Sequence, residues 1–185
     1  MTQDYRNWPR PLVLLKDRGD GRYDGEPITQ REHGLQAAAL AVQAGAPDSW
    51  VLAALLHDLG HLLSRSAQDA TRRGIDLQHE RSGANTLKHW FGPEVSEPVR
   101  LHVEAKRYLA RDPEYKAALS AESQRSLKLQ GGAMNAEEAS QFEANPAAQA
   151  ALALRKWDDE AKVEGLKVPS VASYVPLAQR LVIRD

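Results

Sequence analysis

Nine residues constrain this chain more than any others: Ala53-Ala54-Leu55-Leu56-His57-Asp58-Leu59-Gly60-His61. The lead-in from Val51 to Leu56 is wholly apolar and reads as a buried helix. A His-Asp pair and a further His follow with no polar transition, so an ionisable carboxylate is carried into the interior. Burying an ionised Asp costs several kcal/mol, roughly, unless something compensates it. A metal ion satisfies all three side chains, because imidazole supplies a neutral nitrogen and the carboxylate an anionic oxygen able to bridge two ions. On a continuous helix His57 and His61 share a face, with Asp58 about 100° from His57. The competing explanation, a helix end with a hydrogen-bonded His and a capping Asp, would suit one His alone better than this triplet.

Composition removes several classes of function. With 24 basic and 25 acidic residues the formal charge is −1, so there is no basic footprint for nucleic acid and no polybasic membrane patch. The absence of cysteine excludes disulfides and thiolate ligands. No apolar run approaches the ~20 residues of a membrane span, and the first residues carry no signal-peptide core. The expectation is a cytoplasmic protein, monomeric or weakly homo-oligomeric, folded as one domain over 1–185.

Helix signals dominate and strand signals are absent, so the expected fold is all-α, with helices crossing around a central pair. Leu12–Leu15 could be helical, and Asp17 to Ile28 reads as loop. Thr29 with Glu32 forms a capping box opening a helix that stops at Gly45. Pro47-Asp48-Ser49 starts the second helix, expected to end near His61. Ser64 to Gln78 reads as a surface loop. A third helix runs from His79 to Gly92-Pro93, and Ser96-Glu97-Pro98 is read as the start of the next, ending near Asp112. One helical segment is expected over about 113–130. Asn135 with Glu138 resembles a second capping box, and a helix through Ala151, Leu154 and Trp157 reaches about Val163. A short helix closes the tail.

If His57 and Asp58 hold metal, further ligands should come from the few remaining histidines. His33 has Ala37 and Leu40 on its helical face, His79 opens a helix, and His102 sits between Leu101 and Val103 with Lys106 one turn on. Asp158 or Asp159 offers a late carboxylate, and helical register with Arg155 slightly favours Asp158. His89, beside Trp90 at a helix end, is read as a non-ligand. Four imidazoles and two carboxylates in this order suit a two-metal site, bridged by Asp58 at a separation of about 3.5–4 Å.

The pattern resembles the HD-domain superfamily, with His33, His57, Asp58 and Asp158 at the common metal-binding positions and His79 and His102 at those of its dinuclear members. Within it, the segment Tyr23-Asp-Gly-Glu26-Pro-Ile-Thr-Gln30-Arg-Glu-His33 is similar to that of the mixed-valent diiron oxygenases that cleave carbon–phosphorus bonds in phosphonate breakdown. The resemblance runs from about Tyr23 to Asp158, a metal-binding core of about 23–160. It implies that Tyr23 occupies an iron position until substrate displaces it and that Glu26 meets the substrate's amino group. It also implies that His61, Lys106, Ser126 and Arg155 contact the phosphonate. Independently, Lys and Arg suit a doubly charged anion, and Arg offers a planar fork for paired oxygens.

Two activities follow as expectations. The first is an oxygenase with two iron ions, Fe(II)/Fe(III), and O2 as co-substrate, acting on a small 2-amino- or 2-trimethylammonio-1-hydroxyethylphosphonate. Its products would be glycine or glycine betaine with phosphate. The second is a dinuclear phosphohydrolase acting on a nucleotide or small phosphate ester, which would leave Tyr23 without a role. A degenerate, purely binding domain is disfavoured, because all six ligand positions are filled.

Overall fold

The computed structural model describes residues 5–23, 25–63 and 73–183, so Ser64 to Arg72 of the expected surface loop, and Asp24, lie outside the described residues. Eleven α-helices carry these residues, joined by turns, with one isolated bridge between Arg22 and Thr29. They are α1 (Arg10–Arg18), α2 (Gln30–Gln43), α3 (Asp48–Leu56), α4 (Leu59–Leu63), α5 (His79–Phe91) and α6 (Pro93–Leu109). α7 (Pro113–Ala118), α8 (Ala121–Leu129), α9 (Ala136–Glu143), α10 (Ala148–Glu160) and α11 (Val171–Leu181) follow. The all-α expectation holds, and none of these helices is long and apolar enough to cross a membrane.

The apolar run does what its composition dictates. α3 is buried on every side, with Leu52, Leu55 and Leu56 at the centre of the main core, packed by α2, α6, α10 and α11. Two glycines let backbones touch there. A Cβ on Gly34 would stand 2.5 Å from the Leu55 carbonyl oxygen, where α2 crosses α3. A Cβ on Gly60 would stand 2.0 Å from the His79 carbonyl oxygen, where α4 meets the start of α5.

Both expected capping boxes are present. Thr29 accepts from Glu32 N at 3.1 Å while Glu32 takes the Thr29 N–H at 2.7 Å. Asn135 and Glu138 repeat this exchange on α9. Three boundaries differ from expectation. The second helix does not run to His61: it stops at Leu56, and a turn at His57-Asp58 separates it from α4. α6 begins at Pro93 rather than Ser96, since proline in the first turn lacks an N–H that would find no partner there; Pro98 lies inside the helix. The expected single helix over 113–130 is broken at Leu119-Ser120, where Ser120 Oγ caps α8 and Leu119 turns in against Ala110 and Leu127.

Two buried clamps fix the far end of α10 against α2. Gln36 donates to Val163 O at 2.8 Å and accepts from Val163 N at 3.0 Å, and His33 Nδ1 lies 2.8 Å from Ala161 O. Residues 33 and 158, distant in sequence, thereby share one site.

Candidate metal centre

Four helices and the turn after α3 deliver six ligand-type side chains to one buried point. His33, His57, His102 and Asp158 are almost wholly enclosed, and Asp58 and His79 nearly so. The turn at His57-Asp58 aims the two side chains of the pair differently. His57 anchors Nδ1 on Ala54 O at 2.9 Å and presents Nε2 to His33 Nε2 at 3.1 Å. His79 Nε2 and His102 Nε2 form a second pair, also at 3.1 Å, and His102 Nδ1 sits on Val99 O at 2.7 Å.

This geometry tests whether a cation fits. Burial pushes His57 and His102 below the usual imidazole range, so each is neutral. A neutral ring that gives its Nδ1 proton to a carbonyl has only a lone pair at Nε2. Such lone pairs face other imidazole nitrogens at 3.1 Å in both pairs, and a cation between them reconciles the contact. Asp58 completes both groups. Its Oδ2 lies 3.7 and 3.5 Å from His33 and His57, and its Oδ1 lies 3.4 and 3.8 Å from His79 and His102. One carboxylate oxygen therefore serves each imidazole pair. Asp158 Oδ1 is buried without a hydrogen-bond partner, 3.2 Å from His33 Nε2 and 3.9 Å from His57 Nε2. An orphaned carboxylate oxygen beside two imidazole lone pairs has the chemistry of a metal ligand.

Burial acts against the charge of Asp58 and Asp158, yet both stay well below the usual carboxylate range. The surrounding imidazoles hold Asp58 down, and the Arg155 guanidinium holds Asp158 down. His79 is raised despite burial by its contact with Asp58. Of the two late carboxylates, only Asp158 reaches the imidazoles. Asp159 is turned to Tyr115, whose hydroxyl donates to it at 2.5 Å, and to Arg155.

The expected substrate residues line a cavity that opens onto the cluster. The loop before α2 is tied back by Tyr23 N to Ile28 O at 2.9 Å, which lays the Tyr23 ring flat on His33, centroids 4.0 Å apart. Burial, Asp158 and Asp58 raise the Tyr23 phenol, so it keeps its proton. Glu26 borders the same cavity. Lys106, 4% exposed, donates to Ser126 Oγ at 2.8 Å, and burial with Arg155 nearby pushes its ammonium down to about 7. His61 stacks on His79 with centroids 4.0 Å apart; burial and His79 push it down to about 3, so it offers an N–H and no charge. Its nitrogen also lies within 4.8 Å of Asp58 and His79 ligand atoms, but the 3.1 Å approach of His102 Nε2 to His79 Nε2 makes the tighter group. Arg155 gives Nη1 to Asp158 at 2.7 Å and its other side to Asp159 and Tyr115, leaving one N–H on each terminal nitrogen for an anion. His89 stands exposed, with Nδ1 on Asn85 O at 2.7 Å, away from the cluster.

Sequence reasoning did not single out Gln30, Glu122, Ser123, Gln130 and Lys162, which also line the cavity. Glu122, Ser123 and Gln130 lie on or beside α8, a polar helix with Leu127 alone buried, and such a helix gives no inward signal.

Helices enclosing four imidazoles and two carboxylates beside a cavity lined by Lys106 and Arg155 define a metal-dependent HD-type protein. A model of the HD domain matches residues 31–131, more than half of the sequence, and the chain belongs to this family. Among its relatives is the hydroxymethylphosphonate dioxygenase of Gimesia maris. It is 48% identical over 163 residues, which cover 87% of this chain and 81% of the relative. The [1-hydroxy-2-(trimethylamino)ethyl]phosphonate dioxygenase (glycine-betaine-forming) of Leisingera caerulea is 43% identical over 170 residues, 91% of this chain and 87% of the relative.

Proposed function

We propose that this protein is a diiron oxygenase that uses O2 to cleave the carbon–phosphorus bond of a small 1-hydroxyphosphonate. The observation that carries the reading is the placement of Lys106, Ser126 and Arg155 on one cavity with the two imidazole pairs bridged by Asp58. The relatives named as phosphonate dioxygenases favour this over ester hydrolysis. The cavity, about 80 Å3, is far below the roughly 300–1,000 Å3 of sites for drug-sized ligands, which argues against a nucleotide as substrate.

Two ions would be held by His33, His57, Asp58 and Asp158 at one position and by His79, His102 and Asp58 at the other. When bound, the iron pair supplies sites for the substrate hydroxyl and for O2, and the electrons that pass between them. The reaction balances as R–CH(OH)–PO3H2 + O2 → R–COOH + H3PO4. An aminomethyl R gives glycine and a trimethylammoniomethyl R gives glycine betaine.

The chain's own groups orient the substrate. Lys106 supplies a buried positive charge, Ser126 and His61 supply hydrogen bonds, and the free N–H groups of Arg155 complete the anion cradle. Arg155 also fixes Asp158 by its short bond to Oδ2, leaving Oδ1 for the metal. Tyr23, flat on His33, shields the cluster from water before substrate enters.

The experiment is phosphate release from (R)-2-amino-1-hydroxyethylphosphonate and its trimethylammonio analogue by iron-loaded protein, under air and under nitrogen. Phosphate in air alone, with glycine or glycine betaine beside it, is expected. Phosphate-ester hydrolysis under nitrogen, with neither phosphonate attacked, would replace this reading with the hydrolase.

A further inference from the structure

Asp158 Oδ1 has no hydrogen-bond partner, although a guanidinium with five N–H groups stands beside the same carboxylate. Arg155 gives it a single bond, from Nη1 to Oδ2 at 2.7 Å. Arginine favours meeting a carboxylate with two parallel N–H bonds, and such a fork on Asp158 would cover both of its oxygens. The fork is held elsewhere.

Along α10, Asp158 and Asp159 lie three and four residues after Arg155, so both carboxylates are within its reach. The paired edge goes to Asp159: Nε donates to Oδ2 at 3.1 Å and Nη2 donates to Oδ1. Tyr115 of α7 closes the arrangement. Its hydroxyl donates to Asp159 Oδ2 at 2.5 Å and accepts from Arg155 Nε at 3.2 Å, while its ring packs beside Ala110, Leu119 and Leu127. Burial raises the Tyr115 phenol, so it stays a donor. Arg155 and Asp158 border the cavity, whereas Tyr115 and Asp159 do not. Any effect of this pair on the site passes through Arg155.

We infer that Asp159 and Tyr115 are positioning residues: they occupy the paired N–H edge of Arg155, so that Asp158 keeps Oδ1 for the ion that His33 and His57 would hold. Without Asp159 the edge is free to turn onto its neighbour, where it competes with the cation for Oδ1. Tyr115 biases the choice, because its hydrogen bond fixes Asp159 in the place where it receives the fork. The bland alternative is a pin of α7 to α10, since α7 has no buried residue of its own and Tyr115 ties it down. The inference rests on the two-ion centre of the proposed function, and it does not depend on which reaction the centre performs.

Ferrous iron alone, titrated under nitrogen in competition with a chromophoric chelator, reads the effect without turnover. Asp159→Ala should lose about tenfold or more in affinity for one of the two ions, and Tyr115→Phe should show a smaller loss at the same ion. In an Arg155→Met background, Asp159→Ala should change iron affinity no further, because no fork remains to be held off. A mere pin would lower the melting temperature of the iron-free protein in both backgrounds and leave iron affinity as it was. Undiminished iron affinity in Asp159→Ala, or an equal loss with and without Arg155, would overturn the inference; no loss in Tyr115→Phe would strike Tyr115 from it. Phosphate release under air is scored separately. Iron loss in Asp159→Ala, with no oxygen-dependent phosphate from the unaltered chain, would sink the oxygenase reading and leave the positioning role standing.

Discussion

Replacing Asp58 with Asn tests the bridging geometry directly. Each carboxylate oxygen faces one imidazole pair, at 3.5–3.7 Å on one side and 3.4–3.8 Å on the other. Asparagine keeps the shape but has one acceptor oxygen; its NH2 must face one of the pairs and cannot ligate a cation. At metal concentrations near one hundred times Kd, each occupied site adds about 2.7 kcal/mol to stability. For a chain of this size that is roughly 5–11 °C of melting temperature per site. Asp58→Asn should therefore remove at least half of the difference between metal-loaded and chelator-stripped protein. Metal content by elemental analysis should fall from two ions per chain to one or none. Taking the loaded-minus-stripped difference cancels any effect of the substitution on the metal-free fold, where Asp58 has His79 as its raised imidazole partner. Two retained ions and an unchanged difference would refute the bridge.

Two further expectations come from single contacts. With Lys106 pushed down to about 7, kcat/KM should fall as pH rises through that value, because the phosphonate loses its ammonium partner. Lys106→Met should abolish this limb and raise KM at least tenfold; a limb that persists would free Lys106 from the role. The linkage runs the other way for stability. The unfolded lysine titrates near about 10.4 and so binds more protons than the folded one between these values, and this contribution to stability grows as pH rises across the window. Gly60→Ala would drive a Cβ to 2.0 Å from the His79 carbonyl oxygen and 2.7 Å from Ser82 Oγ, displacing the start of α5. A loss of about 3 kcal/mol or more is expected, together with weakened metal binding at His79 and His102. Gly21→Ala, with nothing within 4 Å, serves as the control in the same thermal melts.

Local chemistry explains which parts of the sequence were readable. The capping boxes at Thr29 and Asn135 are closed within four residues, so their signal is complete in the chain itself. The apolar run before His57 announces its burial because no solvated face interrupts it. Its end was less visible: Leu59, Gly60 and Leu62 continue the apolar pattern, and the turn that aims His57 and Asp58 differently is dictated by contact with α5, at Gly60 against His79. The break at Leu119-Ser120 depends in the same way on a pocket for Leu119 built by Ala110 and Leu127.

Among the site residues, the choice of Asp158 over Asp159 turns on Tyr115, a side chain more than forty positions away that takes Asp159 out of reach. Helical register with Arg155 gave only a slight preference, since Arg155 reaches both carboxylates. Glu122 was invisible for a related reason. On a mostly polar helix it reads as one more solvated charge, and only the packing of α8 against the Tyr23–Glu26 loop turns one of its oxygens inward.

The central claim is oxygen-dependent cleavage of a carbon–phosphorus bond, and its most direct test is the stoichiometry of O2 against phosphate. Iron-loaded protein with (R)-2-amino-1-hydroxyethylphosphonate is followed by an oxygen electrode while phosphate and glycine are quantified in the same samples. One O2 consumed for each phosphate and each glycine formed, with no phosphate under nitrogen, is the expected result. Phosphate formed without oxygen uptake, or oxygen uptake without phosphate, would contradict the account.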